Sequence, residues 1–167
     1  VRDVLLGTTP QDWDITTSAL PEDVKAMFRR TVDTGIEHGT VTVMMNKTGY
    51  EVTTYRIDGR YKDARHPEQV TFTPSLEEDL KRRDFTINAM AYNERDGLID
   101  LFSGQEDLEN GVVRAVGDPE KRFTEDALRI MRCIRFSAQL GFRAEEKTLE
   151  AAKALSGNLV LISKERI

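Results

Sequence analysis

Two aspartates separated by one residue are the first candidates for chemistry in this chain. Asp12 and Asp14 flank Trp13 in the stretch Asp12–Thr17, whose alternating pattern of Trp, Ile and Thr predicts a β-strand. Side chains two residues apart project from the same face of a strand, so the two carboxylates face one site across about 6–7 Å. This arrangement suits two-metal phosphoryl transfer, with Mg²⁺ as the preferred hard cation. The alternative that the motif leaves open is a pair of solvated acids at a strand edge.

A third acidic residue, Glu51, lies in another β-rich part of the sequence. The runs Thr40–Met45 and Tyr50–Ile57 are separated by Asn46-Lys47-Thr48-Gly49, and this pattern predicts a β-hairpin. If the second hairpin strand neighbours the strand of the two aspartates, Glu51 is placed to act as a third carboxylate of the same site. An exposed strand glutamate without a catalytic role is the alternative.

An aspartate and an arginine near the C-terminal end form a different kind of candidate site. A helix is predicted over Thr124–Leu140, where Asp126 and Arg129 are neighbours at a spacing of three residues. The helix is apolar around most of its circumference, which predicts that it is buried and that the pair faces a cleft. A carboxylate acceptor beside guanidinium donors complements the base edges of cytosine and adenine and mismatches guanine and uracil. The alternative is a surface salt bridge of little energetic value.

More arginines accompany these candidates. Arg132 and Arg135 continue along the same predicted helix at steps of three residues and suit the oxygens of a triphosphate. In the middle of the chain, Arg83 precedes a predicted helix over Phe85–Ala91, and a cation near a helix start suits phosphate binding. The structural alternative for this stretch is that Asp84 is simply a helix N-cap.

The overall charge argues weakly against a nucleic-acid partner, because the formal net charge is −5. The segment from Lys121 to Arg143 reverses this balance, with six basic residues against two acidic ones, and can attract phosphate locally. The single cysteine, Cys133, excludes an internal disulfide and suits a reducing cytoplasm; its apolar surroundings predict a buried structural thiol. No apolar run has the length of a membrane helix, so we expect no membrane partner.

The remaining pattern predicts mixed helices and strands followed by helices alone. A mobile loop is predicted over Asp58–Gln69, and Ser75 is predicted to cap a helix that runs to Lys81. The other predicted elements are helices at Val1–Leu6, Pro21–Thr34 and Ala144–Leu155 and a strand at Val112–Val116. This order predicts an α+β domain over residues 1–120 and a helical domain over residues 121–167.

Four strings resemble the class II tRNA nucleotidyltransferases, the bacterial and eukaryotic CCA-adding enzymes with their poly(A) polymerase relatives. They are VRDVLLG followed by DWDI within residues 1–15, YEVTTYRIDGRYKDARHP at 50–67, RRDFTINAMAY at 82–92 and EDALRIMRCIRF at 125–136. They occur in the order that the family shows and together cover most of the chain. The resemblance implies a polymerase-β-like nucleotidyltransferase head followed by the start of an all-helical neck.

The same resemblance implies a role for each candidate. Asp12 and Asp14 match the metal-binding carboxylates, and Glu51 matches a third acidic position. The positions that match nucleotide-contacting residues are Arg2, Arg83, Arg132 and Arg135, with Asp126 and Arg129 as the amino-acid template for C and A. The segment 56–67 is similar to the flexible loop of CCA- and A-adding members.

The implied reaction is the attack of a tRNA 3′-hydroxyl on the α-phosphate of CTP or ATP with release of pyrophosphate. Three alternatives stay open: an A-only or poly(A)-adding enzyme, a related transferase with a small-molecule acceptor, and a non-catalytic RNA- or metal-binding module. The family's Gly-Gly before V-R-D and its C-terminal body are not present in the sequence. We therefore expect a natural protein that is longer at both ends and a fragment that is inactive by itself.

Overall fold

The computed structural model describes residues 1–59 and 70–163, in which short helices and strands alternate before longer helices follow. In chain order the elements are α1 (Arg2–Leu5), β1 (Ile15–Thr17), α2 (Pro21–Met27), β2 (Thr31–Gly35), β3 (Thr40–Met45), β4 (Thr48–Thr54), β5 (Arg56–Asp58), β6 (Val70–Phe72), α3 (Leu76–Lys81), β7 (Met90–Asn93), β8 (Gly97–Asp100), α4 (Gly104–Glu109), β9 (Val112–Val113), α5 (Pro119–Glu125), α6 (Leu128–Leu140), β10 (Arg143–Ala144) and α7 (Glu146–Ala154). Short 3-10 helices lie at Ile36–His38, Thr86–Asn88 and Ser156–Leu161.

A four-stranded sheet with the order β1-β4-β3-β2 forms the first layer. β1 runs parallel to β4, and the other neighbours are antiparallel. One face of the sheet buries Val41, Val43 and Val52 against Val24 of α2. The opposite face is rich in threonine, and the hydroxyls of Thr40 and Thr53 lie 3.0 Å apart across two strands. Alternating apolar and polar residues therefore give the sheet one buried face and one polar face.

The tight hairpin between β3 and β4 fixes the register of this sheet. Asn46 and Lys47 both adopt left-handed backbone conformations, with φ of 49° and 69°. Such φ values at both central residues of a two-residue turn match the right-handed twist of the flanking strands. The pairing of Met45 with Thr48 then places Thr42 opposite Glu51.

A second core surrounds helix α6 and joins residues from both parts of the chain. It contains Phe85, Ile87 and Val113 together with Phe123, Ile130 and Phe136, all of them buried. At its edge, the Thr86 hydroxyl donates to the buried carboxylate of Asp107 at 2.6 Å, which anchors the 3-10 turn Thr86–Asn88 to α4. This cluster includes residues on both sides of position 120, and the division into two domains at that position stays a prediction.

Several predicted elements are confirmed at close to their predicted bounds. The Ser75 hydroxyl accepts a hydrogen bond from the Glu78 backbone N–H at 3.3 Å, the predicted cap of α3. β3 spans the predicted residues, and Gly141 ends α6 in a left-handed conformation. Each of these signals is local, because it depends on residues within a few positions of one another.

Two helix predictions are wrong because strand pairing outweighs local helix preference. The predicted helix Pro21–Thr34 ends at Met27, since Thr31–Gly35 pairs with β3 as an edge strand. The predicted helix Phe85–Ala91 is reduced to the 3-10 turn Thr86–Asn88, since Met90–Asn93 pairs with β8. In both segments the competing structure forms through long-range or hairpin contacts, which helical periodicity does not register.

Other bounds differ by smaller amounts. The strand predicted over Asp12–Thr17 begins only at Ile15. The helix predicted over Thr124–Leu140 is broken at Asp126, whose φ of −141° and ψ of 105° are extended. The strand predicted over Val112–Val116 ends at Val113, and α7 is shorter at both ends than predicted. Most of the predicted loop, residues 60–69, lies outside the described residues.

None of the helices in the described part of the chain combines the length and apolar character needed to cross a membrane.

The close contact between α4 and the turn Thr86–Asn88 generates a stability prediction. A Cβ atom at Gly104 would overlap the backbone carbonyl oxygen of Thr86. We expect Gly104→Ala to lower the free energy of unfolding by about 1–3 kcal/mol, because backbone must move to relieve the overlap. Urea titration followed by circular dichroism measures the change.

Gly157 provides the matched control, because a Cβ there meets no described atom within 4 Å. Gly157→Ala should change the free energy of unfolding by less than about 0.5 kcal/mol or raise it slightly. Equal effects of the two substitutions would contradict the packing argument.

Candidate functional site

The two candidate metal ligands lie in the extended segment that leads into β1. Asp12 and Asp14 are both exposed, and Trp13 between them is 59% exposed. The Trp13 backbone N–H donates to Oδ1 of Asp12 at 2.9 Å. The strand that was predicted to carry both carboxylates therefore starts one residue after them, and their free oxygens are open to solvent.

The register of the sheet relates Glu51 to this segment. In the parallel pair, Ile15 lies beside Val52, so Asp14 and Glu51 directly precede the first paired residues on adjacent strands. Glu51 is exposed and lies opposite Thr42, on the threonine-rich face. Within residues 1–59 and 70–163, no group of three Asp, Glu, His or Cys side chains is close enough to hold a metal ion. A role for Glu51 as third carboxylate stays a prediction.

Three of the predicted nucleotide-binding arginines meet around one aromatic ring. The guanidinium carbons of Arg2, Arg132 and Arg135 lie 5.0, 5.1 and 4.9 Å from the ring centroid of Phe136. Arg2 comes from α1, whereas Arg132 and Arg135 come from α6, so the tertiary structure joins residues more than a hundred positions apart. The result is a compact group of cations suited to binding a polyphosphate.

Polar side chains from the turn after α3 hold two of these arginines in place. The Nε of Arg132 donates to Oδ2 of Asp84 at 2.6 Å, and Nη1 of Arg2 donates to Oδ1 of Asn88 at 2.7 Å. Asn88 in turn donates to Oδ1 of Asp84 at 3.2 Å. Asp84 is nearly buried; it does not cap an α-helix, the structural alternative for this residue, and instead contacts Arg132 and Asn88.

Arg83 belongs to a neighbouring group centred on a fully buried carboxylate. Asp79 is 0% exposed and accepts hydrogen bonds from Arg82 at 2.6 Å and from Arg83 at 3.3 Å. It also accepts from the Arg56 backbone N–H at 3.2 Å, which links the group to β5. Nε of Arg83 is buried and has no hydrogen-bond partner among the described residues. That atom is out of reach of a ligand, whereas the Arg83 side chain as a whole is 28% exposed.

The predicted base-reading pair lies at the break between α5 and α6. Oδ1 of Asp126 accepts from the Leu128 backbone N–H at 3.0 Å, at the first residue of α6. Arg129 is nearly buried and donates to Glu125 at 3.0 Å and to the carbonyl oxygen of Arg82 at 3.0 Å. Arg129 therefore pairs with Glu125 four residues earlier, because the extended backbone at Asp126 changes the direction of the chain.

The predicted burial of this helix on nearly all sides is wrong. Ile130, Cys133 and Phe136 are buried, whereas Ile134 is 58% exposed and Arg135 is also exposed. The helix is therefore amphipathic, and Arg132 and Arg135 lie along one side of its buried stripe, next to Phe136. The exposure of Arg135 is consistent with access for a charged ligand.

The sequence interpretation missed the residues that orient the arginines. These are Asp79, Asn88, Glu125 and Phe136. A local signal existed for two of them, because Asp79 precedes Arg83 by four residues and Glu125 precedes Arg129 by four, the spacing of helical ion pairs. Phe136 had no such signal, since apolar residues in a helix usually indicate only the core.

Known proteins match this chain in sequence and in structure. The family described as the poly A polymerase head domain matches residues 1–114. The chain belongs to this family. Curated relatives named CCA-adding enzyme include those of Leuconostoc mesenteroides, 59% identical over 167 residues, and Enterococcus faecalis, 58% identical over 167 residues. This confirms the resemblance to the CCA-adding and poly(A) polymerase family.

Solved structures agree with this assignment. The crystal structure of the Bacillus stearothermophilus CCA-adding enzyme in complex with CTP has a TM-score of 0.89 and 50% identity, and covers 99% of this chain. The Thermotoga maritima CCA-adding enzyme complexed with tRNA has a TM-score of 0.77 and 30% identity, and 99% of this chain is covered. The α+β nucleotidyltransferase fold of the family is confirmed.

This family member spans only part of the proteins that it matches. The two matches extend over 100% and 99% of this chain, but over only 42% of the Leuconostoc relative and 40% of the Bacillus chain.

Cys133 lies in the core behind the arginine cluster and does not contribute a nucleophile. Burial, and to a lesser extent the nearby negative charge of Asp84, raises the pKa of its thiol to about 11. The thiolate, which is the reactive form, is therefore scarce at neutral pH. This confirms the predicted buried structural thiol.

The raised pKa generates a prediction for chemical modification. At pH 8, we expect iodoacetamide to alkylate Cys133 of the folded chain at least about a hundredfold more slowly than the urea-unfolded chain, because a thiol pKa that is two units higher leaves a hundredfold less thiolate. Mass spectrometry over time measures both rates. Equal rates in the two states would contradict the assignment.

Proposed function

We propose that the full-length protein adds CMP and AMP from CTP and ATP to the 3′ end of tRNA and releases pyrophosphate. The observation that carries this proposal is the group of Arg2, Arg132 and Arg135 around Phe136, a polyphosphate-binding arrangement in a member of a polymerase head family. The relatives named CCA-adding enzyme support the choice of reaction, and related structures in complex with CTP, ATP and tRNA support the choice of substrates.

In this proposal the arginines bind and orient the triphosphate. Arg132 and Arg135 lie on one helix, and Arg2 approaches the same ring from α1, so a triphosphate placed among them meets donors from two directions. Arg83 adds a further positive charge from the neighbouring group, where its side chain is 28% exposed. Fixed cations around the phosphates neutralise charge and align the α-phosphate with an attacking hydroxyl.

Asp12 and Asp14 hold the divalent metal, which we propose to be Mg²⁺. Both side chains are exposed and provide hard oxygen donors, and Glu51 lies at the same end of the sheet as a further acidic group. When bound there, the metal stabilises negative charge and lowers the pKa of the tRNA 3′-hydroxyl.

Asp126 and Arg129 select the base. A carboxylate beside guanidinium donors complements the amino group and ring nitrogen of C and A. Glu125 contacts Arg129 from the preceding turn and fixes the direction of the guanidinium. Arg129 also donates to the carbonyl oxygen of Arg82, so the base-selecting and phosphate-binding groups are physically connected.

We assign residues 1–120 to the catalytic head and residues 121–167 to the start of the neck, and we place the reaction in the cytoplasm. The matched head region, residues 1–114, ends close to the proposed division. One reduced, buried cysteine suits a reducing compartment.

The decisive experiment supplies the full-length protein with labelled CTP or ATP and tRNA that lacks its terminal CCA. Incorporation of CMP before AMP supports CCA addition. The name of the matched family favours one alternative, the addition of A alone, which would give AMP incorporation without CMP.

The metal assignment generates a prediction for the carboxylates. Asp12→Ala or Asp14→Ala in the full-length protein should lower kcat/KM at least about a hundredfold, because metal stabilisation of the transition state is worth several kcal/mol. Folding should change little, since both side chains are exposed. Steady-state incorporation into tRNA and thermal melting measure the two effects.

Asp33→Ala is the matched control, because Asp33 is an exposed carboxylate on the opposite edge strand of the same sheet. Its surface ion pair with Lys25 contributes less than about 1 kcal/mol, so activity should be preserved. Normal incorporation by the double variant of Asp12 and Asp14 would overturn the metal assignment.

The base-selecting assignment generates a separate prediction. Asp126→Ala should reduce the preference for CTP over UTP roughly ten- to a hundredfold, because a hydrogen bond to a charged group contributes about 1.5–3 kcal/mol. Competition between labelled CTP and UTP measures the preference directly.

Asp118→Ala serves as its control. Asp118 also accepts backbone N–H groups at a helix start, from Glu120 at 2.9 Å, so both variants lose a helix cap. Only the Asp126 variant should lose discrimination. An unchanged preference in a folded Asp126→Ala protein would refute base selection by this residue.

A further inference from the structure

Phe136 occupies an unusual position for a core residue. Its side chain is 6% exposed and packs edge-on against Phe85, with centroids 5.9 Å apart and an interplanar angle of 84°. The same ring also has three guanidinium groups within 5.1 Å of its centroid. The ring therefore separates the hydrophobic core from the arginine cluster.

Gathering three arginines without a bound anion requires compensation for their mutual repulsion. Asp3 pairs with Arg2 at 2.7 Å, and Asp84 pairs with Arg132 at 2.6 Å. Arg135 has no carboxylate partner among the described residues, and its contact is the Phe136 ring at 4.9 Å. The face of an aromatic ring carries partial negative charge, which attracts a guanidinium without neutralising it.

Whether an arginine is held by a carboxylate or by an aromatic ring matters in a site that must accept an anion. A carboxylate that held Arg135 would also repel a triphosphate and would have to be displaced when the nucleotide binds. A ring fixes the arginine and leaves its hydrogen-bond donors and its charge free. An aliphatic side chain of similar volume fills the core but lacks this attraction.

We propose that Phe136 is a positioning residue of the nucleotide site, whose ring holds Arg2, Arg132 and Arg135 together before the triphosphate binds. The inference rests on the proposed function, because it assigns the triphosphate to these arginines. Phe136 itself does not contact the reacting atoms. Its effect is preorganisation, which lowers the cost of ordering three long side chains when the nucleotide binds.

The test uses Phe136→Leu in the full-length protein. The KM for CTP and ATP should rise about tenfold, and kcat should change less than about threefold, because cation–π contacts of this kind account for a factor of that order in affinity. The dissociation constant for inorganic pyrophosphate, measured by isothermal titration calorimetry, should rise in parallel. Phe136→Met is the second variant if the leucine variant does not fold, since methionine fills the core more fully.

Phe123→Leu is the matched control. Phe123 is 0% exposed and belongs to the same core cluster, and no arginine contact to its ring is found among the described residues. The Phe123→Leu substitution should lower the melting temperature while leaving the KM for CTP and ATP and the affinity for pyrophosphate unchanged. An equal loss of affinity in both variants would show general loosening of the core and would overturn the proposal.

Pyrophosphate binding and nucleotide addition distinguish a failure of the positioning role from a failure of the proposed reaction. Wild-type affinity for pyrophosphate in a folded Phe136→Leu protein overturns the positioning role, whatever reaction the enzyme catalyses. A wild-type protein that binds pyrophosphate but adds neither CMP nor AMP to tRNA overturns the proposed reaction. In that case the affinity of the Phe136 variants for pyrophosphate still decides the positioning role.

Discussion

The ion pair between Arg132 and Asp84 connects the helical part of the chain to the turn that organises the site. Asp84 is nearly buried. Its Oδ2 accepts from Nε of Arg132, and its Oδ1 accepts from the side-chain amide of Asn88 and from the backbone N–H of Phe85. Without this acceptor, Arg132 would be held by the ring alone, and Asn88 would lose one of the bonds that orients it toward Arg2. The Asp84 carboxylate thus adds a polar link between α6 and the turn Thr86–Asn88 to the packing of Phe136 against Phe85.

Buried charge of this kind is costly unless each group is satisfied, and the chain meets that requirement with shared partners. Asp79 is fully buried between Arg82 and Arg83, and Glu125 lies between Arg122 and Arg129. Removing one partner of such a buried pair typically costs about 3–5 kcal/mol. The carboxylates therefore stabilise the fold and the arginine geometry at the same time, which explains why the cations are held in fixed directions.

The arginines and the two aspartates differ in the contacts that hold them. The arginines are fixed by a buried ring, an amide and carboxylates, whereas Asp12 and Asp14 lie in an exposed segment before a short strand. Fixed cations suit the binding of a triphosphate with little reorganisation. Exposed carboxylates remain accessible to ligands from solvent, such as the divalent cation proposed above.

The sequence by itself determined the local elements and most of the candidate residues. The hairpin turn at Asn46 and Lys47, the Ser75 cap and the Gly141 terminus depend on neighbouring residues, so patterns within a few positions predicted them. Regular spacing likewise indicated Arg132 and Arg135, whereas Arg2 was identified only by the resemblance of its motif to the family. Only the tertiary structure decided that Thr31–Gly35 is a strand and that α5 and α6 are separate helices. It also decided that Arg2 meets Arg132 at Phe136, since long-range contacts that bury a ring or satisfy a buried charge have no local signature.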